Sequence, residues 1–316
     1  MSIPHKSKAA RKMYREASYP IFDICNLNST RLSNDLLNAD RFSGYVKNNP
    51  HVQNVHKHSF YHLVFFTAGQ GQQILDFETY PIKKGIIYFM RPNQTHKWFF
   101  EGEADGYVIN FSGTFFEQLS IGSGILENFP FFNLFSSNQV LELDENSQEH
   151  ISQLFEAVIQ EVRSASEQTQ GLLMIATYLL QIFVLAARSI HQNENLYEEN
   201  HYNSTLLRKF MELIEDNFRE IRLPKDYASM LYISSNHLNM ICQEQANTSA
   251  GELIRNRILL EAKRLLINFE LSVSAIALDL NFFDTSYFVK FFKKHTGLTP
   301  EAFRKQYYNK PFSGIQ

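Results

Sequence analysis

Residues Asn281–Lys305 read NFFDTSYFVKFFKKHTGLTPEAFRK and carry six Phe, one Tyr and five Lys or Arg. Phe288, Phe291 and Phe292 recur at i, i+3 and i+4, the spacing of one buried helix face. Asp284 just before the run is a good N-cap residue, and Gly297 just after it can take the left-handed conformation that ends a helix. Thr285, Ser286, Val289, Lys290, Lys293 and Lys294 fall off the apolar face. The stretch is therefore either an amphipathic helix with a merely solvated rim or a surface that meets an anion.

A second copy decides between these. ISSNHLNMICQEQANTS (233–249) aligns with FDTSYFVKFFKKHTGLT (283–299) at an offset of 50 residues, 283 minus 233. Leu238 falls on Phe288, Ile241 on Phe291, Cys242 on Phe292, Asn247 on Gly297 and Ser249 on Thr299. A short helix with a small residue precedes each copy, Ala228 in DYASMLY and Ala277 in SAIALDL. Each unit reads helix, tight turn, helix, and Ser234 or Ser235 can cap the second helix of the first unit. Helices are expected at about 205–218, 225–231, 235–245, 250–268, 273–280, 285–295 and 300–308. The joining helix would be on the order of 25 Å long at 1.5 Å per residue. That suffices to hold two recognition helices about one DNA turn apart, on the order of 34 Å, entering the major groove from one face.

Residues 205–309, about a third of the chain, resemble the DNA-binding domain of the AraC/XylS family of bacterial transcription regulators. The resemblance rests on IRNRILLEAKRLLIN, with Arg257, Ala262, Leu265 and Leu266, on VSAIALDLNF, and above all on DTSYFVKFFKKHTGLTPEAFR. It implies a sequence-specific regulator that binds double-stranded DNA and works with RNA polymerase. It implies base-facing positions at Thr285, Ser286, Val289 and Lys290, where Lys290 can donate to guanine and the Val289 methyls can meet a thymine methyl. Lys293 and Lys294 are better suited to phosphates, which add salt-dependent affinity without sequence information. In the first unit the matching positions are Asn236, Asn239, Met240 and Gln243. There the family usually carries an aromatic or basic residue followed by lysines, whereas this chain has Met240, Gln243 and Glu244. The second unit is therefore expected to supply more of the affinity. The chain also departs from the family at Asn281, which replaces the usual turn glycine; Asn tolerates the left-handed region.

The N-terminal half reads differently. Residues 1–203 hold 15 Lys/Arg and 21 Asp/Glu, net −6, and residues 204–316 hold 15 and 12, net +3. This asymmetry fits a chain in which only the second half meets nucleic acid. YHLVFFTAG, QQILDFETY, GIIYFMRPN, HKWFFEGE and GYVINFSG are β-branched and aromatic runs broken every eight to twelve residues, the pattern of an all-β barrel or sandwich. Residues 1–40 read as a loose arm with short elements, and 147–166 and 170–191 as helices. HKHSFYHLVFFTAGQG and GIIYFMRPNQTHKW are similar to the cupin-like sensor domain of the same family. The expected fold is α+β: a cupin-like β-barrel with a helical pair for ligand sensing and dimerisation (1–191), a linker (192–204), and an all-α DNA-binding domain with two helix-turn-helix units joined by a long helix (205–316).

The barrel interior is the default site for a small-molecule effector. Its expected walls include His56, His58, Tyr61, His62, Phe65, Phe89, Arg91, His96 and Trp98, with Leu63, Ile87, Phe100 and Tyr107 as further candidates and Lys97 beside Arg91 at the mouth. Which strand face points inward is left open by the pattern. HKHSFYH and the His after RPNQT are similar to the metal motif of catalytic cupins, and neutral imidazoles suit Zn²⁺, Fe²⁺ or Ni²⁺. The resemblance favours histidines that pack, hydrogen-bond or line a pocket, so no metal, cofactor or catalytic residue is expected. The alternative is a metal-dependent cupin enzyme fused to a DNA-binding module. In the family the helical pair is the usual homodimer surface. LLMIATYLLQIFVLAA (172–187) is short for a membrane span and contains Gln181, so no membrane partner is expected. MSIPHKSKAARK lacks a following apolar segment, and Cys25 and Cys242 suggest no disulfide framework, which together fit a cytoplasmic protein.

Overall fold

The computed structural model describes residues 20–28, 36–133, 138–164, 169–191 and 201–309. Contacts divide these into two compact units, one up to His191 and one from His201 onward.

In the first unit ten strands form two five-stranded sheets. The strands are β1 (Ile21–Phe22), β2 (Leu37–Arg41), β3 (His56–His58), β4 (Tyr61–Ala68), β5 (Gly71–Leu75), β6 (Glu78–Ile82), β7 (Ile86–Met90), β8 (Thr95–Phe100), β9 (Asp105–Phe111) and β10 (Val140–Glu142). One sheet runs β1-β3-β8-β5-β6 and the other β10-β7-β4-β9-β2. Short helices α1 (Phe42–Asn48) and α2 (Phe115–Gln118) fill the connections, and α3 (Glu145–Ser164) and α4 (Thr169–His191) follow the strands. Leu37, Asn38 and Ala39 are buried in β2 and pair with β9, so the short element at this end of the expected arm is a sheet strand.

Strand alternation sorts the second sheet into two cores. Val64, Phe66, Tyr88, Met90 and Val108 point between the sheets and meet Leu75, Ile82 and Trp98. Leu63, Phe65, Ile87, Phe89, Ile109 and Phe111 point the other way, onto α3 and α4. Both faces are covered, so β4 and β7 read as unbroken apolar runs rather than alternating ones. This corrects the expected pocket walls. Phe65 and Phe89, with Leu63, Ile87 and Tyr107, belong to the helix-facing core, and Tyr61 packs against the same core. Trp98 and Phe100 do face inward.

The helix-facing core absorbs many of the chain's 28 Phe. Phe183 of α4 lies with ring centroids 5.2 Å from Phe129 and from Phe132, 6.0 Å from Phe131 and 6.1 Å from Phe111. By length and composition α4 could cross a membrane, but Ile175, Ala176, Leu179, Ile182, Phe183 and Ala186 are fully buried in the unit's core.

The second unit contains α5 (His201–Asn217), α6 (Pro224–Met230), α7 (Ser235–Ala246), α8 (Ala250–Leu266), α9 (Val273–Asp279), α10 (Thr285–Thr296) and α11 (Pro300–Asn309). His201–Ser204, expected as linker, form the first turn of α5; residues 192–200 lie outside the described ones. The caps are local and follow the sequence. Ser234, Ser249 and Ser272 each accept from a backbone N–H three residues on, as does Asp284 from Tyr287 at 2.7 Å. Asn247 and Gly297 end α7 and α10 in the left-handed conformation, and Asn281 takes it in the turn between α9 and α10.

Candidate nucleic-acid interface and sensor site

In α10 Phe288 and Phe292 are fully buried. Phe288 packs on Phe282 at 5.1 Å and Phe292 on Phe303 at 5.4 Å. Phe291, expected in the same core, is half-buried and lies between Phe282 and His295. Ser286, Lys290, Lys293 and Lys294 are exposed on the opposite face, with Thr285 and Val289 half-buried beside them. In α7 Leu238, Ile241 and Cys242 are buried, while Asn236, Met240 and Gln243 are exposed. The positions equivalent to Lys293 and Lys294 are Gln243 and Glu244, so the two helices present different charge on the same geometry.

Asn239 departs from its expected base-facing role. Its Oδ1 accepts from the Ala250 N–H at 3.0 Å and its Nδ2 donates to the Ser235 carbonyl at 3.2 Å. The side chain ties the start of α8 to α7, and both ends of its amide are already used. Other outward residues carry no periodic signal and escape the sequence reading. The turn of the second helix-turn-helix motif has five residues (Leu280–Asp284) against four in the first motif (Leu231–Ser234). Phe283 in the longer turn is 98% exposed, and Tyr232 in the shorter one is 96% exposed.

A buried ion network fixes α8, which joins the two helix-turn-helix motifs. Arg257, 3% exposed, holds Glu215 of α5 with two bonds of 2.6 and 2.9 Å and Glu261 at 3.0 Å. Arg219 reaches Glu261 at 2.9 Å and Asp279 of α9 at 3.5 Å. The Arg257 guanidinium also lies 3.9 Å over the Phe218 ring. Burial alone would lower the Arg257 pKa, but the two carboxylates reverse this and keep it charged.

In the first unit four histidines meet inside the sheets. His56 and His58 lie on β3, His96 lies opposite His56 on β8, and His62 comes from β4 of the other sheet. His62 is therefore not on one strand with the first two, because Ser59–Phe60 interrupts the strand. The Nε2 of His58 lies 3.1 Å from that of His56 and 2.8 Å from that of His96. His56 Nδ1 donates to the Asn54 carbonyl at 2.7 Å. Asn110 Nδ2 donates to Asn38 Oδ1 at 2.7 Å, so its Oδ1 accepts from His62 Nδ1. These bonds put the protons of His56 and His62 on Nδ1 and leave both Nε2 atoms as bare lone pairs. Burial depresses all four pKa values, His56 to about 4 and His62 to about 3, so the cluster is neutral at pH 7. Trp98 stands 5.1 Å from His96 and Tyr45 6.0 Å from His62. Arg91 follows β7, its N–H donating to Gln94 Oε1 at 2.7 Å. Lys97 lies over Phe99, on the face of β8 opposite His96 and Trp98, so it is not beside the cluster.

Residues 227–306 match the family model of a helix-turn-helix domain, and residues 43–177 match that of the AraC-like ligand binding domain. The chain belongs to the AraC family. Similar to this AraC-family chain is the HTH-type transcriptional activator RhaR of Mannheimia succiniciproducens, 25% identical over 81% of the chain and 88% of the relative. The uncharacterized HTH-type transcriptional regulator YfiF of Bacillus subtilis is 24% identical over 83% of the chain and 85% of the relative. Among solved structures, ToxT from Vibrio cholerae covers 85% of the chain and 97% of its own at 18% identity and a TM-score of 0.40. The protein is a DNA-binding regulator with an N-terminal ligand-binding domain, and its relatives are named regulators rather than enzymes.

Proposed function

We propose that α10 is the principal DNA-reading helix of this regulator. In this reading Ser286 and Lys290, with Thr285 and Val289, face base edges, while Lys293 and Lys294 hold phosphates. The observation that carries it is the row of exposed polar and basic residues directly opposite the buried Phe288 and Phe292. Asn236, Met240 and Gln243 of α7 form the weaker second surface, and Asn239 acts by holding α8. Lys290→Ala is expected to lower operator affinity roughly five- to 150-fold, the loss of about 1–3 kcal/mol from one base contact, with the helical CD unchanged. Lys293→Ala should instead weaken binding to all sequences and reduce the salt slope by about one. A footprint on the gene's own upstream DNA that is unchanged in Lys290→Ala would remove the assignment.

The effector is proposed to bind at the imidazole cluster beside Trp98 and Tyr45, where buried nitrogens lack partners. The unit up to residue 191 is taken as the sensing and dimerising domain and residues 205–316 as the DNA-binding domain, acting in the cytoplasm with RNA polymerase. A homodimer through α4 is supported by the exposed row Leu173, Met174, Thr177, Gln181 and Val184. Val184→Glu is expected to convert a dimer to a monomer in sedimentation equilibrium. An unchanged mass would move the interface elsewhere.

A further inference from the structure

We propose that the sensor unit binds one divalent transition-metal ion of the zinc, cobalt, nickel or iron(II) type through the Nε2 atoms of His56, His58 and His96. This deepens the sensor reading by giving the chemistry of a ligand at that site.

The argument is one of unsatisfied donors and acceptors. The ligand nitrogens of His56, His58 and His96 lie within 4.8 Å of one another, and all three rings are buried. His56 Nε2 must be an acceptor, because its Nδ1 proton is committed to Asn54. His58 Nε2 lies against both other Nε2 atoms, yet a single ring nitrogen can either donate one proton or accept one. If it donates to His56, its contact with His96 has no acceptor on the His58 side. If it accepts from His96, two lone pairs face each other across 3.1 Å at His56. No neutral arrangement of protons satisfies both contacts. In addition His62 Nε2, beside the three, is buried without a hydrogen-bond partner. Buried polar groups are ordinarily paired, and a half-satisfied network is costly in a low-dielectric interior. A cation at the meeting point turns three converging lone pairs from a conflict into a ligand set.

The dimensions fit. Bonds of about 2.0–2.1 Å to zinc at tetrahedral angles imply nitrogens roughly 3.3 Å apart. The separations of 2.8 and 3.1 Å from His58 need to open by a few tenths of an ångström, and the third, between His56 and His96, lies within 4.8 Å, so small ring rotations bring the set to this geometry. An all-nitrogen imidazole set suits borderline transition metals and not Ca²⁺ or Mg²⁺, which take oxygen ligands. Three protein ligands leave a position open. The ring of His62, centred 4.7 Å from His58 and 5.3 Å from His96 with a bare Nε2, stands next to it. Asn110 orients His62 in turn, the kind of outer hydrogen bond that fixes a ligand's tautomer.

The test uses the full chain, purified without a histidine tag and stripped with a chelator, and Co²⁺ as the probe. One equivalent of Co²⁺ per chain with visible d–d absorption, competed away by Zn²⁺, is the expected result. His58→Ala and His96→Gln, checked for folding by CD and Trp98 fluorescence, should lose that band by tenfold or more. Folded wild type that takes up no stoichiometric Co²⁺, or folded variants that keep the band, would overturn the proposal. If neither variant folds, X-ray absorption of the zinc-loaded wild type decides: at least three imidazoles around the ion support the site, and fewer refute it. A metabolite that raises the melting temperature of the metal-free chain, with no Co²⁺ uptake, would sink the metal inference and leave the sensor reading standing.

Discussion

Phe183→Ala should destabilise the sensor unit by about 3–5 kcal/mol, the cost of emptying a fully buried aromatic site that cannot collapse. The ring is completely buried, and phenylalanines at 129, 131, 132, 111, 116 and 89 surround it. These neighbours come from β7, β9, α2 and the segment around Pro130, so no single element can shift to fill the hole. The chain has one tryptophan, Trp98, and it is buried between the sheets of this same unit. Its fluorescence therefore reports the sensor transition selectively. In urea the Trp98 midpoint should fall sharply together with the helical CD that α3 and α4 contribute, while the helical CD of the second unit keeps its position. An unshifted fluorescence midpoint would mean that the cluster is plastic and the site relaxes.

Arg257→Ala should give the converse pattern: a loss of helical stability with the Trp98 transition unmoved. Removing one partner of a buried ion pair costs about 3–5 kcal/mol, because the charge left behind is stranded. Two carboxylates are affected unequally. Glu215 is more than a third exposed and water can rescue it, whereas Glu261 is nearly buried and keeps Arg219 at 2.9 Å and Arg264 at 3.9 Å. The expected loss is therefore near the lower end, about 3 kcal/mol. Arg257→Lys should recover only part of it, since an ammonium cannot reproduce the two-pronged hold on Glu215 or the planar stack on Phe218. Full recovery by lysine would show that charge alone matters. Because the network links α5, α8 and α9, the alanine variant should also weaken DNA binding wherever the unit is not fully folded.

The DNA-binding unit was open to reading because its signals are local. N-caps at Ser234 and Asp284, left-handed stops at Asn247 and Gly297, and apolar residues at i, i+3 and i+4 all act within a turn or two of helix. The repeat then identified the outward row, and Asn281 takes the positive φ that its position in the turn requires. Phe291 and Asn239 were misjudged for a related reason. Periodicity gives the side of a helix, but how deep Phe291 sits, and that Asn239 is taken up by Ala250, depend on a neighbouring helix.

In the sensor unit the strands and the two long helices are legible, but not which strand face points inward. β4 and β7 are covered on both faces, so their apolar runs carry no alternation to mark the inside, and Phe65 and Phe89 fell on the wrong side. The ligand set needed still more. His56 and His96 are brought opposite each other by the β3–β8 register, 40 residues apart in number, and His62 is added from the other sheet. The Arg257 network likewise joins positions 42 residues apart. The order of amino acids thus settles the helical repeat, its caps and its solvent row, since each is decided over a few residues of backbone. Which face of a doubly covered strand turns inward, and which nitrogens and charges meet, is decided by packing between distant segments, where burial makes every unpaired polar group costly.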